Sequence, residues 1–167
     1  RYVAFYSQAT NLVADDTNGA KDVFVYDRET AISERVSIAS DGSQADFSSF
    51  APSISDDGRY VAFASQASNL VDADTNGVPD IFVHDRDTGS TELVSIASDG
   101  IQGNDYSFSP VISGDGRYVA FASDATNQVA ADTVPTSTKC FYRPHFVRLH
   151  QVLGLVEHQK KHYVRPR

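Results

Sequence analysis

The stretch that decides the fold is "PSISDDGRYVAF", residues 52–63, in which Asp57-Gly58 separates two short runs of strand-forming residues. Asp-Gly between such runs is the strongest short-range signal for a β-hairpin. The same pattern returns as "PVISGDGRYVAF" at residues 110–121, with Asp-Gly at 115–116. The sequence therefore predicts two equivalent hairpins, one in each copy of a repeat.

This repeat extends over most of the chain. "RYVAF" begins at residues 1, 59 and 117, and residues 1–58 align with residues 59–116 at 37 identical positions. We divide residues 1–133 into unit 1 (1–58), unit 2 (59–116) and a partial unit 3 (117–133). Each full unit holds four strand-like runs, which in unit 2 are "RYVAFAS", "DIFVHD", "ELVSIAS" and "SPVIS". These runs are rich in β-branched and aromatic residues, and helical periodicity is missing, so we expect an all-β fold.

The pattern P-x-I-S-x-D-G-R-Y-V-A-F resembles the WD-repeat-like blade of the TolB-type β-propellers, over Pro52–Phe63 and Pro110–Phe121. The resemblance implies blades of four antiparallel strands, of which this chain would supply about two and a quarter. It also implies a bacterial protein that is periplasmic or secreted. Closed propellers have roughly 4–8 blades, so we expect either a fragment or a homo-oligomer that completes the ring. The absence of Met and of a visible signal peptide favours a fragment.

Residues 134–167 depart from the repeat and form a basic tail. They hold seven Lys and Arg against the single Glu157, whereas residues 1–133 hold seven against 21 Asp and Glu. By register the tail should begin like unit 2, but it reads "VPTSTKCFYRPH". A reading-frame change within residues 133–138 is one explanation, and a native tail is the other. Apolar residues near helical spacing predict a helix close to residues 146–162.

Composition and motifs narrow the classes of function. The acidic body argues against nucleic-acid binding, and no apolar run approaches the roughly 18 residues of a membrane span. A G-x-S-x-G elbow is missing, and His84 stands where unit 1 has Tyr26, which indicates packing. We therefore expect a non-catalytic scaffold or binding module with a protein or peptide partner. The alternative is a hydrolase or lyase that uses the propeller as a substrate platform.

The segment "DADTNGVPD", residues 72–80, matches the first nine positions of a calcium loop. The candidate ligands are the side chains of Asp72, Asp74, Asn76 and Asp80 and the carbonyl of Val78. Unit 1 keeps a weaker version with Asp16, Asn18 and Asp22, because Ala14 replaces the first ligand. Two interpretations stay open for both loops, a structural Ca²⁺ site and a metal-free turn closed by the Asn side chain.

Arg59 and Arg117 directly follow the two Asp-Gly turns. A ring of arginines that lines a ligand surface would be the functional interpretation. The structural interpretation is an ion pair across each turn with a neighbouring aspartate, such as Asp57 or Asp115. We expect the ion pairs.

Overall fold

The computed structural model describes residues 1–129 and 139–144 of the chain. These residues contain ten β-strands, which form three antiparallel sheets. Sheet 1 consists of β1 (Tyr2–Ser7), β2 (Asp22–Asp27) and β3 (Ile32–Arg35). Sheet 2 consists of β4 (Ser49–Ile54), β5 (Tyr60–Ser65), β6 (Asp80–Asp85) and β7 (Ser90–Leu93). Sheet 3 consists of β8 (Ser107–Ile112), β9 (Tyr118–Ser123) and β10 (Lys139–Pro144). Within each sheet, strands that are consecutive in the sequence pair with each other, so every sheet is a meander.

The strands confirm the predicted repeat and the all-β class. β1, β5 and β9 begin at Tyr2, Tyr60 and Tyr118, the second residue of each "RYVAF" copy. The same spacing separates β4 from β8, β2 from β6 and β3 from β7. A tandem series of antiparallel meanders, complete with four strands in sheet 2, is the architecture of β-propeller blades.

Part of the segment assigned to the tail forms a strand of sheet 3. β10 begins one position later than the spacing between β2 and β6 predicts, yet Lys139 lies opposite Ser123 as Asp80 lies opposite Ser65. Phe141 packs against the core between sheets 2 and 3. The helix predicted near residues 146–162 lies outside the described residues. Within the described part of the chain, no helix is long and apolar enough to cross a membrane.

The predicted Asp-Gly turns join β4 to β5 and β8 to β9. Gly58 has a φ of 78° and donates its N–H to the carbonyl of Ser55 at 2.9 Å. Gly116 has a φ of 70°, so both turns use the left-handed region that glycine enters without strain. Asp57 closes the first turn by accepting the N–H of Arg59 at 3.0 Å. The hairpins form where the sequence predicts them.

Each sheet has two different apolar faces, because side chains alternate along the strands. The tyrosine face contains Tyr2, Ala4 and Tyr6 in sheet 1, Tyr60, Ala62 and Ala64 in sheet 2, and Tyr118, Ala120 and Ala122 in sheet 3. The phenylalanine face contains Val3, Phe5 and Ser7, then Val61, Phe63 and Ser65, then Val119, Phe121 and Ser123. The tyrosine faces of sheets 1 and 2 pack on the phenylalanine faces of sheets 2 and 3. The core therefore consists of the same interface formed twice.

The tyrosine rings fit onto the turns of the following sheet. A Cβ atom at Gly58 would collide with the ring of Tyr2, and one at Gly116 would collide with the ring of Tyr60. Arg86 reaches the same place from sheet 2, with its guanidinium carbon 4.8 Å from the centroid of the Tyr2 ring. Each turn glycine thus leaves the space that the tyrosine of the preceding sheet occupies.

Replacing Gly58 by Ala should lower the free energy of unfolding more than the same change at Gly89. Both glycines are left-handed, with φ of 78° and 73°, and this conformation costs an alanine about 1–2 kcal/mol. Only the methyl at position 58 would also meet a ring, since nothing lies within 4 Å at Gly89, and overpacking costs about 1–3 kcal/mol more. Urea denaturation of both variants measures the difference. Equal losses would contradict the packing of Tyr2 on Gly58.

Candidate functional site

The second acidic loop connects β5 to β6 and gathers two of its carboxylates around one amide. Gln102 Nε2 donates to Asp74 Oδ1 at 2.7 Å and to Asp80 Oδ2 at 2.9 Å. Asn76 Nδ2 donates to the same oxygen of Asp80 at 2.8 Å. Asp72, in contrast, is exposed. The structure therefore brings together three of the predicted ligands and adds Gln102.

Both acidic loops contain the predicted Asx turn. The N–H of Val78 donates to Asn76 Oδ1 at 2.9 Å, and the N–H of Ala20 donates to Asn18 Oδ1 at 2.9 Å. Asn18 Nδ2 also donates to Asp22 Oδ2 at 2.9 Å, the same bond as in the second loop. The turn does not use up these oxygens, because amide and carboxylate oxygens each accept more than one hydrogen bond. An Asx turn and a bound cation can therefore be present in the same loop.

The second loop holds two carboxyl groups without a positive charge. Asp80 is fully buried, and the Ser95 hydroxyl donates to its Oδ1. Burial raises the pKa of Asp80 to about 6 and also raises the pKa of Asp74. Within residues 1–129, none of the ion pairs involves either carboxylate. Either a proton or a bound cation would relieve this charge.

The first loop already has the positive charge that the second loop lacks. Arg35 Nη1 lies 3.3 Å from Asp16 Oδ1 and 4.0 Å from Asp22 Oδ2, and the arginine side chain is only 10% exposed. The equivalent residue of unit 2 is Leu93, which packs against the core between sheets 1 and 2. An alignment of the two units displays the exchange of Arg for Leu. Only the folded chain connects it with the acidic loop.

A glutamine lies beside each acidic loop, Gln44 beside the first and Gln102 beside the second. Sequence patterns did not identify these glutamines as site residues. Gln44 Oε1 accepts the N–H of Thr17 at 3.2 Å and a hydrogen bond from Arg35 Nη1 at 3.1 Å. Gln102 Oε1 accepts the N–H of Thr75 at 3.0 Å. The identity of residues 44 and 102 across the repeat was the available signal.

A cation in the second loop would depend on a mixed set of oxygens. Among the described residues, no group of three or more His, Cys, Asp or Glu side chains is placed to hold a metal ion. Asp74 and Asp80 would therefore need neutral donors, such as the amide oxygen of Asn76 and the carbonyl of Val78. Ca²⁺ accepts such combinations of carboxylate and carbonyl oxygens. The calcium site stays a prediction.

The predicted ion pair between Arg59 and Asp57 is wrong. Arg59 Nε and Nη2 donate to the two oxygens of Asp85 at 2.8 and 2.7 Å. This bidentate contact holds the pKa of Asp85 below its usual range. From Arg59, Asp57 accepts a hydrogen bond of the backbone N–H, and Asp115 accepts the corresponding bond from Arg117. The arginine of the turn is thus tied to the end of the adjacent strand.

His84 has a packing role. The residue is buried, and its Nδ1 lies 2.9 Å from Thr91 Oγ1. The Thr91 hydroxyl donates to the carbonyl of Ile38 at 2.6 Å, which connects sheet 2 with the segment that follows β3. Burial lowers the pKa of His84. The alternative of a hydrolase or lyase stays a prediction.

Solved structures with similar sheets include three propellers. A TolB of Agrobacterium tumefaciens has 16% identity and a TM-score of 0.48, and the match covers 77% of this chain and 39% of that one. The β-propeller domain of the Trilobed protease from Pyrococcus furiosus has 16% identity and a TM-score of 0.43, over 87% of this chain and 41% of that one. TolB from Acinetobacter baumannii has 15% identity and a TM-score of 0.32, over 79% and 37%.

The chain spans between 37% and 41% of the length of these three structures. No protein-family model and no curated protein matches the sequence. Because the identities are so low, the likeness concerns the fold alone. In fold, this chain is similar to the TolB-type β-propellers.

Replacing Leu93 by Arg should give the second loop the charge compensation of the first. The pKa of Asp80, about 6 when folded, lies above its unfolded value, so the folded chain loses stability as the pH rises from about 4 to above 6. An arginine beside Asp80 should remove this loss. The free energy of unfolding of Leu93→Arg minus that of wild type should therefore be larger at about pH 7.5 than at about pH 4.5.

Leu93→Gln is the matched control for this measurement, because it removes the same apolar packing without adding charge. Urea denaturation of the three proteins at both pH values gives the comparison. The proposed role of Arg35 would be contradicted by a Leu93→Arg difference that is independent of pH, or by one that Leu93→Gln reproduces.

Proposed function

We propose that the chain is a non-catalytic β-propeller module that binds protein through its two outer sheet faces. The observation that carries this proposal is a contrast in burial. Val61 and Val119, on the inner phenylalanine faces, are fully buried, whereas Val3 of sheet 1 is 45% exposed. On the tyrosine faces, Ala62 is fully buried, whereas Ala120 of sheet 3 is half-buried. The two outer faces are the separate halves of an interface that the chain forms twice internally.

A second copy of the chain is the partner that this repetition supports. The tyrosine face of sheet 3 in one copy would pack on the phenylalanine face of sheet 1 in the other, a head-to-tail contact. The described residues of each chain form three sheets, which gives six for two copies, within the roughly 4–8 blades of closed propellers. Arg28 supports the same polarity. It is exposed, whereas its equivalent Arg86 forms a 2.8 Å ion pair with Glu34 across the internal interface.

Light scattering after gel filtration should give the mass of two chains for the wild type, each of 18.2 kDa. Val3→Glu should reduce this to the mass of one chain, because association would bury a carboxylate without a partner. Ile101→Glu is the control. Ile101 is 60% exposed beside a turn outside both faces, so this variant should keep the wild-type mass.

Circular dichroism will show whether both variants keep the β fold. Either of two results argues against the head-to-tail contact: a monomeric wild type, or a folded Val3→Glu variant that keeps the wild-type mass.

We propose further that the second acidic loop binds one structural Ca²⁺ through the carboxylates of Asp74 and Asp80, the amide oxygen of Asn76 and the carbonyl of Val78, with the exposed Asp72 outside the ligand set. Supporting this is the pair of carboxylates that shares Gln102 without a basic partner in residues 1–129. The ion would hold the connection between β5 and β6. The first loop, with Asp16, Asn18 and Asp22, should bind more weakly, because Arg35 already supplies positive charge there.

The resemblance to TolB-type repeats supports a periplasmic or secreted location. This location agrees with a loop of few charged ligands, since calcium sites of extracellular modules have dissociation constants of about 10⁻⁴–10⁻³ M. Weak calcium binding by the second loop would therefore suit a periplasmic or secreted protein.

Millimolar calcium should raise the melting temperature of the wild type over that in chelator. A ligand that binds only the folded state at a hundredfold excess over Kd adds about 2.7 kcal/mol. Leu93→Arg should abolish the response, because the guanidinium would compete with the ion. Asp74→Asn, which keeps the shape of the side chain, should weaken it. Identical wild-type melting temperatures with calcium and with chelator would leave only the metal-free turn.

A further inference from the structure

His84 is a buried titratable group in the contact between sheets 1 and 2. It is only 2% exposed, whereas Tyr26, at the equivalent position of unit 1, is half-buried. Because side chains alternate along a strand, His84 shares one face of β6 with Phe82. Phe82 packs in a single apolar cluster with Val23 and Val25 of sheet 1. The imidazole is therefore buried where the two sheets meet.

Thr91 connects His84 with the segment that follows β3. We call residues 38–44 bridged turn 1 and residues 96–102 bridged turn 2, because an isolated β-bridge closes each of them. Thr91 lies opposite His84 in β7, and its Oγ1 is 2.9 Å from His84 Nδ1. The Thr91 hydroxyl donates to the carbonyl of Ile38 at 2.6 Å, and the Thr91 N–H donates to Ser40 Oγ at 2.9 Å. His84 and Thr91 thus hold bridged turn 1 against sheet 2.

The hydroxyl proton of Thr91 determines which nitrogen of His84 carries a proton. A hydroxyl has one proton to donate, and that of Thr91 goes to the carbonyl of Ile38. His84 Nδ1 is therefore the donor in its contact with Thr91 Oγ1. In the neutral ring the proton is on Nδ1, so acid would add a second proton at Nε2.

The two carboxylates that attract a proton to His84 are already engaged by arginines. Glu34 of β3 binds Arg86 at 2.8 Å, and Asp85 binds Arg59 at 2.7 Å. Arg86 itself disfavours a positive charge on the imidazole. Burial is the largest influence and lowers the pKa of His84 below its usual value.

The other elements around His84 offer no compensation for its charge among the described residues. Val61 of β5, directly opposite His84, is apolar. Glu92 of β7 lies opposite Val83 and therefore belongs to the other face of sheet 2. Asp41, in bridged turn 1, accepts both the N–H and the hydroxyl of Ser43. Protonation of His84 would thus leave a buried positive charge between the sheets, which is unfavourable.

We propose that His84 makes the contact between sheets 1 and 2 sensitive to acid, so that protonation of the imidazole releases bridged turn 1 from β7. The charged ring gains hydration when the contact opens, and bridged turn 1 is the segment that Thr91 holds there. Since the folded chain keeps His84 neutral, the contact has its full stability above the usual His pKa of 6.5 and loses it as the pH falls below that value. This device depends neither on the outer sheet faces nor on calcium.

Hydrogen exchange of the wild type tests the proposal with an internal control. Residues 38–42 and 96–100 both read "IASDG", so their amides have the same intrinsic exchange rates. The N–H of Ala39 donates to the carbonyl of Ser43, and the N–H of Ala97 donates to the carbonyl of Ile101 in the same way. The ratio of exchange rates, bridged turn 1 over bridged turn 2, should rise about threefold or more between about pH 7.5 and about pH 5. A ratio that does not depend on pH overturns the proposal.

His84→Asn identifies the group that takes up the proton. The asparagine amide can donate to Thr91 Oγ1 as Nδ1 does, but it does not titrate in this range. The exchange ratio of this variant should therefore be independent of pH. Asp80, whose pKa of about 6 lies in the same range, is present in both proteins, so their comparison removes its effect. An exchange ratio that still rises in acid for His84→Asn overturns the role of His84, and the wild-type result stands as a test even where the variant does not fold.

Discussion

The contact between a tyrosine ring and the turn glycine of the next sheet sets the arrangement of all three sheets. Gly58 and Gly116 each meet two demands, a left-handed φ for the hairpin and an absent Cβ under the ring. A sheet therefore depends on its own turn and on the tyrosine of the preceding sheet. Arg86 lies over the Tyr2 ring, and a cation–π contact of this kind adds about 0.5–2 kcal/mol. Local turn chemistry and the packing between sheets are thus one constraint.

Charge is compensated differently in two loops of nearly the same sequence. Buried carboxylates destabilise a fold unless hydrogen bonds and a positive charge offset their lost hydration. Unit 1 provides Arg35, and unit 2 has Leu93 at the same position while Asp80 stays fully buried. The leucine contributes to the apolar core, whereas the arginine serves the loop. One position therefore decides whether a repeat gains core packing or neutralises its own acidic loop.

Periodicity and turn chemistry in the sequence were enough to predict the strands, the hairpins and the repeat, because these features depend on neighbouring residues. Partners distant in the chain were not predictable in this way. Arg59 binds Asp85, 26 positions away, since the register of β5 with β6 places the two side by side. Gln102 reaches Asp74 and Asp80 because the chain after β7 returns to the acidic loop between β5 and β6. The Asx turns followed from local spacing and were predictable.

Near-identical strands create an ambiguity during folding, because β1 and β5 both have the sequence pattern that pairs with β2 and β6. Tandem repeats of high identity are prone to such exchanged pairings. Two of the positions at which the units differ oppose such an exchange. Tyr6 in the place of Ala64 would force a large ring into a fully buried site, and Arg35 in the place of Leu93 would put a guanidinium against the apolar core. These differences thus favour the observed pairing of β1 with β2 and of β5 with β6.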